Sequence, residues 1–163
     1  MRENRRVLVG MSGGIDSSIV CILLQKRGYE VVGVTMRMWD SQRHFKEGDI
    51  EPDYILSARR LAQQLGIVHH VIDARAVFKN EVVDYFTSEY LNGRTPNPCV
   101  RCNRVIKWDL MRKLADELDC WYLATGHYAN VVCLNDNYYI SKGRDVKKDQ
   151  SYFLWDVDPS IWK

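Results

Sequence analysis

The sequence predicts a doubly wound α/β fold: a mostly parallel sheet flanked by helices, with a small β-hairpin near the C-terminus. Three observations carry this. Short apolar runs alternate with segments of helical period. The first run is joined to the first helical segment by a glycine–serine turn, GMSGGIDSS at residues 10–18. Two β-rich runs near the C-terminus flank Asn-Asp-Asn, a hairpin sequence. Strand–helix alternation brings parallel strands together and places helices on both faces of the sheet.

Each element has its own reason. Arg6 to Gly10 contains the apolar run Val7–Leu8–Val9, a short buried strand. Ser17 to Gln25 is apolar nearly all round, as expected of a helix laid on a sheet, with Asp16 or Ser17 as its N-cap. Glu30 to Met36 (EVVGVTM) is a second strand, and Asp40 to Asp53 is a polar loop. Tyr54 to Leu65 places Ile55, Ala58, Leu61, Ala62 and Leu65 at helical spacing, and Gly66 is its C-cap. Ile67 to Ile72 is a third strand. Ala76 to Leu91 is a helix with Val77, Val83, Phe86 and Tyr90 on one side. Arg104 to Leu118 is another, with Ile106, Leu110, Leu114 and Leu118 in register. Trp121 to Ala124 is a fourth strand. Val131 to Leu134 and Tyr138 to Ser141 form the hairpin.

Composition narrows the class. The 163 residues, 46% of them hydrophobic, suit one domain with a sizeable core. A net charge of +2 neither demands nor excludes a nucleic-acid partner. No run reaches membrane-spanning length and the start MRENRRVLVG has no signal-peptide core, so no membrane is expected. Five cysteines without a secreted framework point to a reducing cytoplasm.

The glycine–serine turn reads as an anion site. Gly10, Gly13 and Gly14 permit close approach and positive φ, and a helix start with its dipole attracts phosphate. It is neither a Walker A loop, having no lysine, nor G-x-G-x-x-G. In open α/β sheets ligands sit at the carboxyl ends of strands. Thr35–Met36–Arg37 and Ala124–Thr125–Gly126–His127–Tyr128 fall at two further such ends. Met36 could offer its backbone to an adenine edge and its side chain to the ring face, and Gly126 would let a nucleotide lie against the chain; taken singly, Met36 suits the core and His127 a structural place.

The second informative stretch is GRTPNPCVRCNRVIK, Gly93 to Lys107. Cys99 and Cys102 form C-x-x-C before a helix, where the dipole and Arg94, Arg101 and Arg104 would favour thiolate. Zinc would need four ligands and there is no second C-x-x-C. The prolines and arginines do not match a thioredoxin-like setting. A nucleophilic or sulfur-handling cysteine fits best, with Cys21, Cys120 and Cys133 on core elements.

S-G-G-x-D-S (Ser12 to Ser17), read with G-R-T-P-N-P-x-x-x-C-N-x-x-I-K, A-T-G-H-Y and K-D-Q-S-Y-F-L (Lys148 to Leu154), resembles the tRNA-specific 2-thiouridylases, within the ATP pyrophosphatases. The resemblance runs from Arg6 to about Trp155. It implies an adenine nucleotide α-hydrolase-like, Rossmann-like fold. It further implies adenylation of the wobble uridine of tRNA at C2, then sulfur transfer from a cysteine persulfide, releasing AMP and pyrophosphate. By resemblance Gly10, Met11, Ser12, Gly13, Gly14, Ile15, Asp16, Ser17, Met36 and Gly126 contact ATP. Asn97, Pro98 and Cys99 would touch the target base. Lys148, Asp149 and Gln150 would touch tRNA, and Cys102 is the catalytic cysteine. Mg²⁺ would accompany ATP, with Asp16 a helper in holding it, while no protein metal site is assigned. A persulfide-bearing donor protein is the implied sulfur source.

Two departures qualify the resemblance. Relatives often carry aspartate where this chain has Cys99, so base activation is open, and the C-x-x-C could instead help hold an iron–sulfur cluster with a further cysteine outside the chain. The family's middle tRNA-binding domain and C-terminal β-barrel are also expected to be absent, leaving residues 1–163 as a catalytic domain. The alternatives are another ATP pyrophosphatase, such as an amidotransferase-linked synthetase or another tRNA-modifying enzyme, and a non-catalytic nucleotide-binding module.

Overall fold

A computed structural model describes residues 5–41 and 51–162. The chain divides into two compact units, Met1–Arg75 with Met111–Gly126, and Ala76–Leu110 with His127–Lys163.

The first unit is built on four parallel strands: β1 (Arg6–Gly10), β2 (Glu30–Arg37), β3 (Val68–Asp73) and β4 (Tyr122–Thr125), in the order β3-β2-β1-β4. Alternation along the strands divides their side chains between two faces. Val7, Val9 and Val31 pack with Cys21 of α1 (Ile15–Lys26) and Ala58 of α2 (Asp53–Leu65). Leu8, Val32 and Val34 pack on the other face with Met111 and Ala115 of α6 (Trp108–Glu117). The sheet is therefore covered on both sides, as the alternation predicts. Gly66 caps α2 in the left-handed region, φ 65°. The predicted polar loop lies mostly at residues 42–50, outside the described residues.

Helix α1 departs from expectation at its start. It is capped by Gly14, at φ −94° and ψ 170°, without a side-chain cap bond, rather than by Asp16 or Ser17. Both residues already lie in the first turn, and Ser17 turns its hydroxyl back onto Gly14 O. Only one side of α1 faces the sheet, so Ile15, Ile19 and Leu23 are exposed.

In the second unit two predicted helices run differently. Residues 75–91 form α3 (Arg75–Phe78), a π-helical stretch Lys79–Asp84 and α4 (Tyr85–Leu91). The wide π turns delay the helical phase. Val82 is buried, whereas Phe86 and Tyr90 of the expected face are exposed. The next helix starts at Pro98, not Arg104: α5 (Pro98–Cys102) runs through a π stretch Asn103–Lys107 into α6. Ile106 of the expected row is fully buried and Leu114 and Leu118 pack half-buried against the second core face, while the phase shift makes Met111 and Ala115 the most buried residues of α6. The hairpin pairs β5 (Ala129–Leu134) with β6 (Asn137–Lys142), antiparallel. Asn135 and Asp136 form its turn at φ 51° and 61°, a left-handed conformation that Asn and Asp tolerate. Two short 3₁₀ turns, Ser151–Phe153 and Pro159–Trp162, follow.

Candidate functional site

The switch in strand order falls at β1, with β2 on one side and β4 on the other. Crevices at such points are where α/β sheets hold ligands. Gly10 pairs with Val34 of β2 and with Thr125 of β4, so the glycine–serine loop leaves the sheet between Met36 and Gly126. The sequence-predicted nucleotide residues thus converge on one sheet edge.

Three packing contacts shape the loop. Gly13 has φ +76°, and a Cβ there would lie 3.0 Å from Tyr54 Cα and would collide with the Tyr54 carbonyl oxygen at the start of α2. Gly126 lies against the first turn of α1, where a Cβ would meet Ser17 N at 3.0 Å. Met11 is buried, its N–H donating to Val34 O at 2.7 Å. Thus Gly13 and Gly126 bring backbone against backbone within the protein itself, and the Met11 side chain belongs to the core.

Inside the loop, Ser12 N–H donates to Ser17 Oγ at 3.2 Å, and Ser17 Oγ donates to Gly14 O at 3.2 Å. Ser18 Oγ donates to the same carbonyl at 2.7 Å. Ser12, Gly14, Ile15 and Asp16 are exposed. Ser12 Oγ lies 3.3 Å from Ser17 Oγ and accepts from Gly14 N at 3.4 Å, so it closes the loop; the first N–H groups of α1 precede its hydrogen-bond ladder and emerge at this end, which presents an anion with backbone donors. Met36 follows the last pairing of β2 with the β1 strand and is half-buried, its side chain against the second core face.

The second unit carries the cysteines. Asn97 caps α5 through Oδ1, which accepts from Cys99 N at 3.1 Å and Val100 N at 3.3 Å. Pro98 follows at the first helical turn, where its missing N–H costs nothing. Cys99 is exposed and Cys102 buried. Burial pushes the Cys102 thiol above its ordinary pKa, opposed by the charge of Lys107. This corrects the expected thiolate: Cys102 ends α5 rather than beginning it. The arginines are engaged elsewhere, Arg94 with Glu89, Arg101 with Glu81 and Arg104 with Asp156. Cys133, expected in the core, is exposed on the hairpin, while Cys21 and Cys120 are buried.

Asn103, next to Cys102, was missed by sequence reasoning. It is buried, and its Nδ2 donates to Cys99 O at 3.0 Å and Phe153 O at 3.2 Å. It ties the cysteine helix to the K-D-Q-S-Y-F-L segment, and a polar residue immediately after the cysteine was the available signal. His127 stacks on Trp108, centroids 6.3 Å apart, and burial and the Lys107 charge hold its pKa down at about 4, so it is neutral.

In that segment the three predicted tRNA residues differ. Lys148 is exposed, its ammonium 5.0 Å from the Tyr128 ring centroid. Asp149 accepts from Gly143 N at 2.8 Å and Ser151 Oγ at 2.9 Å, contacts that hold its pKa below the carboxylate range. Gln150 grips the Tyr128 backbone twice, donating from N to Tyr128 O at 2.8 Å and accepting Tyr128 N–H at 3.0 Å. Asp149 and Gln150 therefore form the turn that presents Lys148.

Among the described residues no three His, Cys, Asp or Glu side chains converge as metal ligands. A cluster needs about four ligands, of which Cys99 and Cys102 would supply two. Mg²⁺ commonly takes one or two carboxylates plus substrate phosphates, which Asp16 at the loop fits. No described helix is long and apolar enough to cross a membrane.

The chain is 53% identical over 160 residues to the tRNA-specific 2-thiouridylase MnmA 3 of Phocaeicola vulgatus, covering 98% of this chain and 43% of that protein. It is 53% identical over 156 residues to the tRNA-specific 2-thiouridylase MnmA of Amoebophilus asiaticus, covering 93% and 42%. The chain thus spans less than half the length of these relatives. Among solved structures, the NH3-dependent NAD synthetase of Campylobacter jejuni shares the fold, with a TM-score of 0.50 and 18% identity over 74% of this chain and 46% of that one. A family model described as the tRNA methyl transferase HUP domain matches residues 5–162, and the chain belongs to that family.

Proposed function

We propose that residues 1–163 are the ATP-binding catalytic portion of a tRNA 2-thiouridylase. The carrying observation is the S-G-G-x-D-S loop, wedged between α2 and the end of β4 with the start of α1 open. The relatives' names and this loop agree, since activating a uridine oxygen on ATP releases pyrophosphate. Methyl transfer from a sulfonium donor would need no such loop.

The chemistry follows from the residues. The first N–H groups of α1 bind the phosphates, which orients the α-phosphorus for attack by the uridine C2 oxygen and stabilises the charge that develops. Asp16 would hold Mg²⁺, which screens phosphate charge when bound. The backbone edge of Met36 would take the adenine. The wobble uridine of tRNA becomes adenylated at O2, and sulfur then displaces AMP at C2. Cys102 would free that sulfur from a persulfide by forming a disulfide with the persulfide's own cysteine. Lys148 would meet a tRNA phosphate. Cys99, exposed one turn before Cys102, supplies no carboxylate.

The test is ATP binding by calorimetry, then ATP–pyrophosphate exchange with and without tRNA. The proposal expects saturable ATP binding and exchange that depends on tRNA. Absence of ATP binding would overturn it, and tRNA-independent exchange would favour another ATP pyrophosphatase.

A further inference from the structure

Three polar side chains are buried among the described residues: Ser17, Thr35 and Asn103. Ser17 belongs to the loop and Asn103 to the cysteine helix. Thr35 stands on β2 in an otherwise apolar run, and the chemistry above leaves it without a role.

Its partners give it one. Thr35 Oγ1 lies 2.8 Å from Met11 O and 2.9 Å from His69 Nε2. A hydroxyl has one proton and a carbonyl only accepts. Thr35 therefore donates to Met11 O, and His69 Nε2–H donates to Thr35. This fixes the neutral tautomer of His69, leaving Nδ1 as a buried nitrogen without a partner. Burial first, and then the Arg59 charge, keep this imidazole below its ordinary pKa, consistent with the neutral form.

The chain of bonds does not stop at Met11. Met11 C=O and Ser12 N–H belong to one planar peptide. Thr35 holds its oxygen, and its N–H donates to Ser17 Oγ at 3.2 Å. Ser17 Oγ in turn donates to Gly14 O, the cap of α1, at 3.2 Å. Every donor points the same way, from β3 through β2 and the loop to the start of α1. Bonds aligned in series polarise one another. Gly33 gives the chain room: a Cβ there would meet Met11 Sδ at 2.5 Å and His69 Cδ2 at 3.2 Å.

We propose that Thr35 and His69 are positioning residues for the nucleotide loop, orienting the Met11–Ser12 peptide and through Ser17 the start of α1. This rests on the proposal that the loop binds ATP phosphates, and it says what sets the loop's shape.

The experiment compares the 163-residue wild type with Thr35→Val, Thr35→Ser and His69→Phe. Backbone amide exchange at Ser12 reads the peptide directly, without ATP, and calorimetry reads ATP affinity. Wild type should show a protected Ser12 amide and an imidazole Nε2–H proton signal. Thr35→Val keeps the volume and leaves two buried groups unpaired, which should speed Ser12 exchange and weaken ATP binding, each about tenfold. Thr35→Ser keeps the hydroxyl and should stay within about threefold of wild type. His69→Phe cuts the first link and should show a partial loss in the same direction, which carries the test if Thr35→Val does not fold. Unchanged Ser12 exchange in Thr35→Val, or in His69→Phe should Thr35→Val not fold, would overturn the inference. A Thr35→Ser defect as large as that of valine would also do so, by making Thr35 a packing residue. Failure of the wild type to bind ATP, with the exchange effects intact, would sink the ATP assignment and leave the positioning chain standing.

Discussion

Replacing Gly13 by alanine tests whether the loop is shaped by the protein's own backbone. Gly13 sits at φ +76° with Tyr54 of α2 directly over it. An L-residue held in the left-handed region costs roughly 1–2 kcal/mol. Overpacking against a backbone that cannot rotate aside adds roughly 1–3 kcal/mol. The expected destabilisation is the combination, roughly 2–5 kcal/mol. Gly14→Ala is the internal control. Gly14 has φ −94°, and a Cβ there meets Ser12 Oγ at 3.3 Å, the side chain of a rotatable residue. Its cost should stay near 1 kcal/mol or below, the modest loss expected for alanine at an N-cap.

Urea denaturation of the two variants measures the difference, and ATP titration follows on whichever variant folds. Gly13→Ala should fall clearly below Gly14→Ala in stability and bind ATP more weakly. Equal stability within about 0.5 kcal/mol, less than either steric cost alone, would refute the close seating of Gly13 against α2. The ATP site would then need another scaffold.

Three further outcomes are expected. His127 is held near pKa 4 in the fold against an ordinary 6.5, so the unfolded chain binds its proton first. Stability from this group is intact above pH 6.5 and is lost as pH falls toward 4, by roughly 3 kcal/mol at most from ~1.36 kcal/mol per pKa unit; His127→Phe should flatten that part of the pH–stability curve. Under native conditions Cys99 and Cys133 should alkylate first, since burial raises the thiol pKa of Cys102 and Cys120 and lifts that of Cys21 to about 11; peptide mass mapping that finds Cys102 as fast as Cys99 contradicts the burial. Gln150→Ala removes the acceptor of Tyr128 N–H and should speed exchange of that amide with little change at Ser12.

Elements with a strong local signal were legible in the sequence. Val7–Leu8–Val9 needed no tertiary information to read as a strand, nor Gly66 to read as a C-cap, nor Asn-Asp-Asn as a hairpin turn. The errors have a common cause. Periodicity assumes a constant 3.6-residue turn, and the π stretches Lys79–Asp84 and Asn103–Lys107 break it. That moved the buried face to Val82 and to Met111 and Ala115. The helix start at Pro98 was hidden because the apolar period was read only from Arg104, although Asn97-Pro98 is a cap followed by a first-turn proline. Cys102 was misjudged for the same reason: a helix starting six residues earlier places its thiol at the end of the first segment, inside the unit. Thr35 and His69 gave weaker signals, a lone hydroxyl in EVVGVTMR and a histidine in VHHVID, whose pairing only the strand register reveals.

The site residues divide in a way that the motif alone does not show. Met11, Ser17, Asn97, Asp149 and Gln150 all read as ligand contacts, yet each side chain is engaged by the protein: core packing for Met11, loop closure for Ser17, a helix cap for Asn97, turn bonds for Asp149 and Gln150. The groups left facing outward are backbone N–H donors, the Cys99 thiol and the Lys148 ammonium, whereas the hydroxyl of the exposed Ser12 is shared with Ser17 Oγ at 3.3 Å and Gly14 N at 3.4 Å. A phosphate or a base edge can be bound by backbone donors of any sequence, provided the backbone holds the right shape. The residue types of such a motif are then fixed by the shape. Substitutions among the engaged residues, Ser12 included, should lower stability and affinity together, whereas Lys148→Ala should lower affinity alone. A Ser17→Ala variant that lost ATP binding at full stability would break this division and return Ser17 to direct contact with the phosphates.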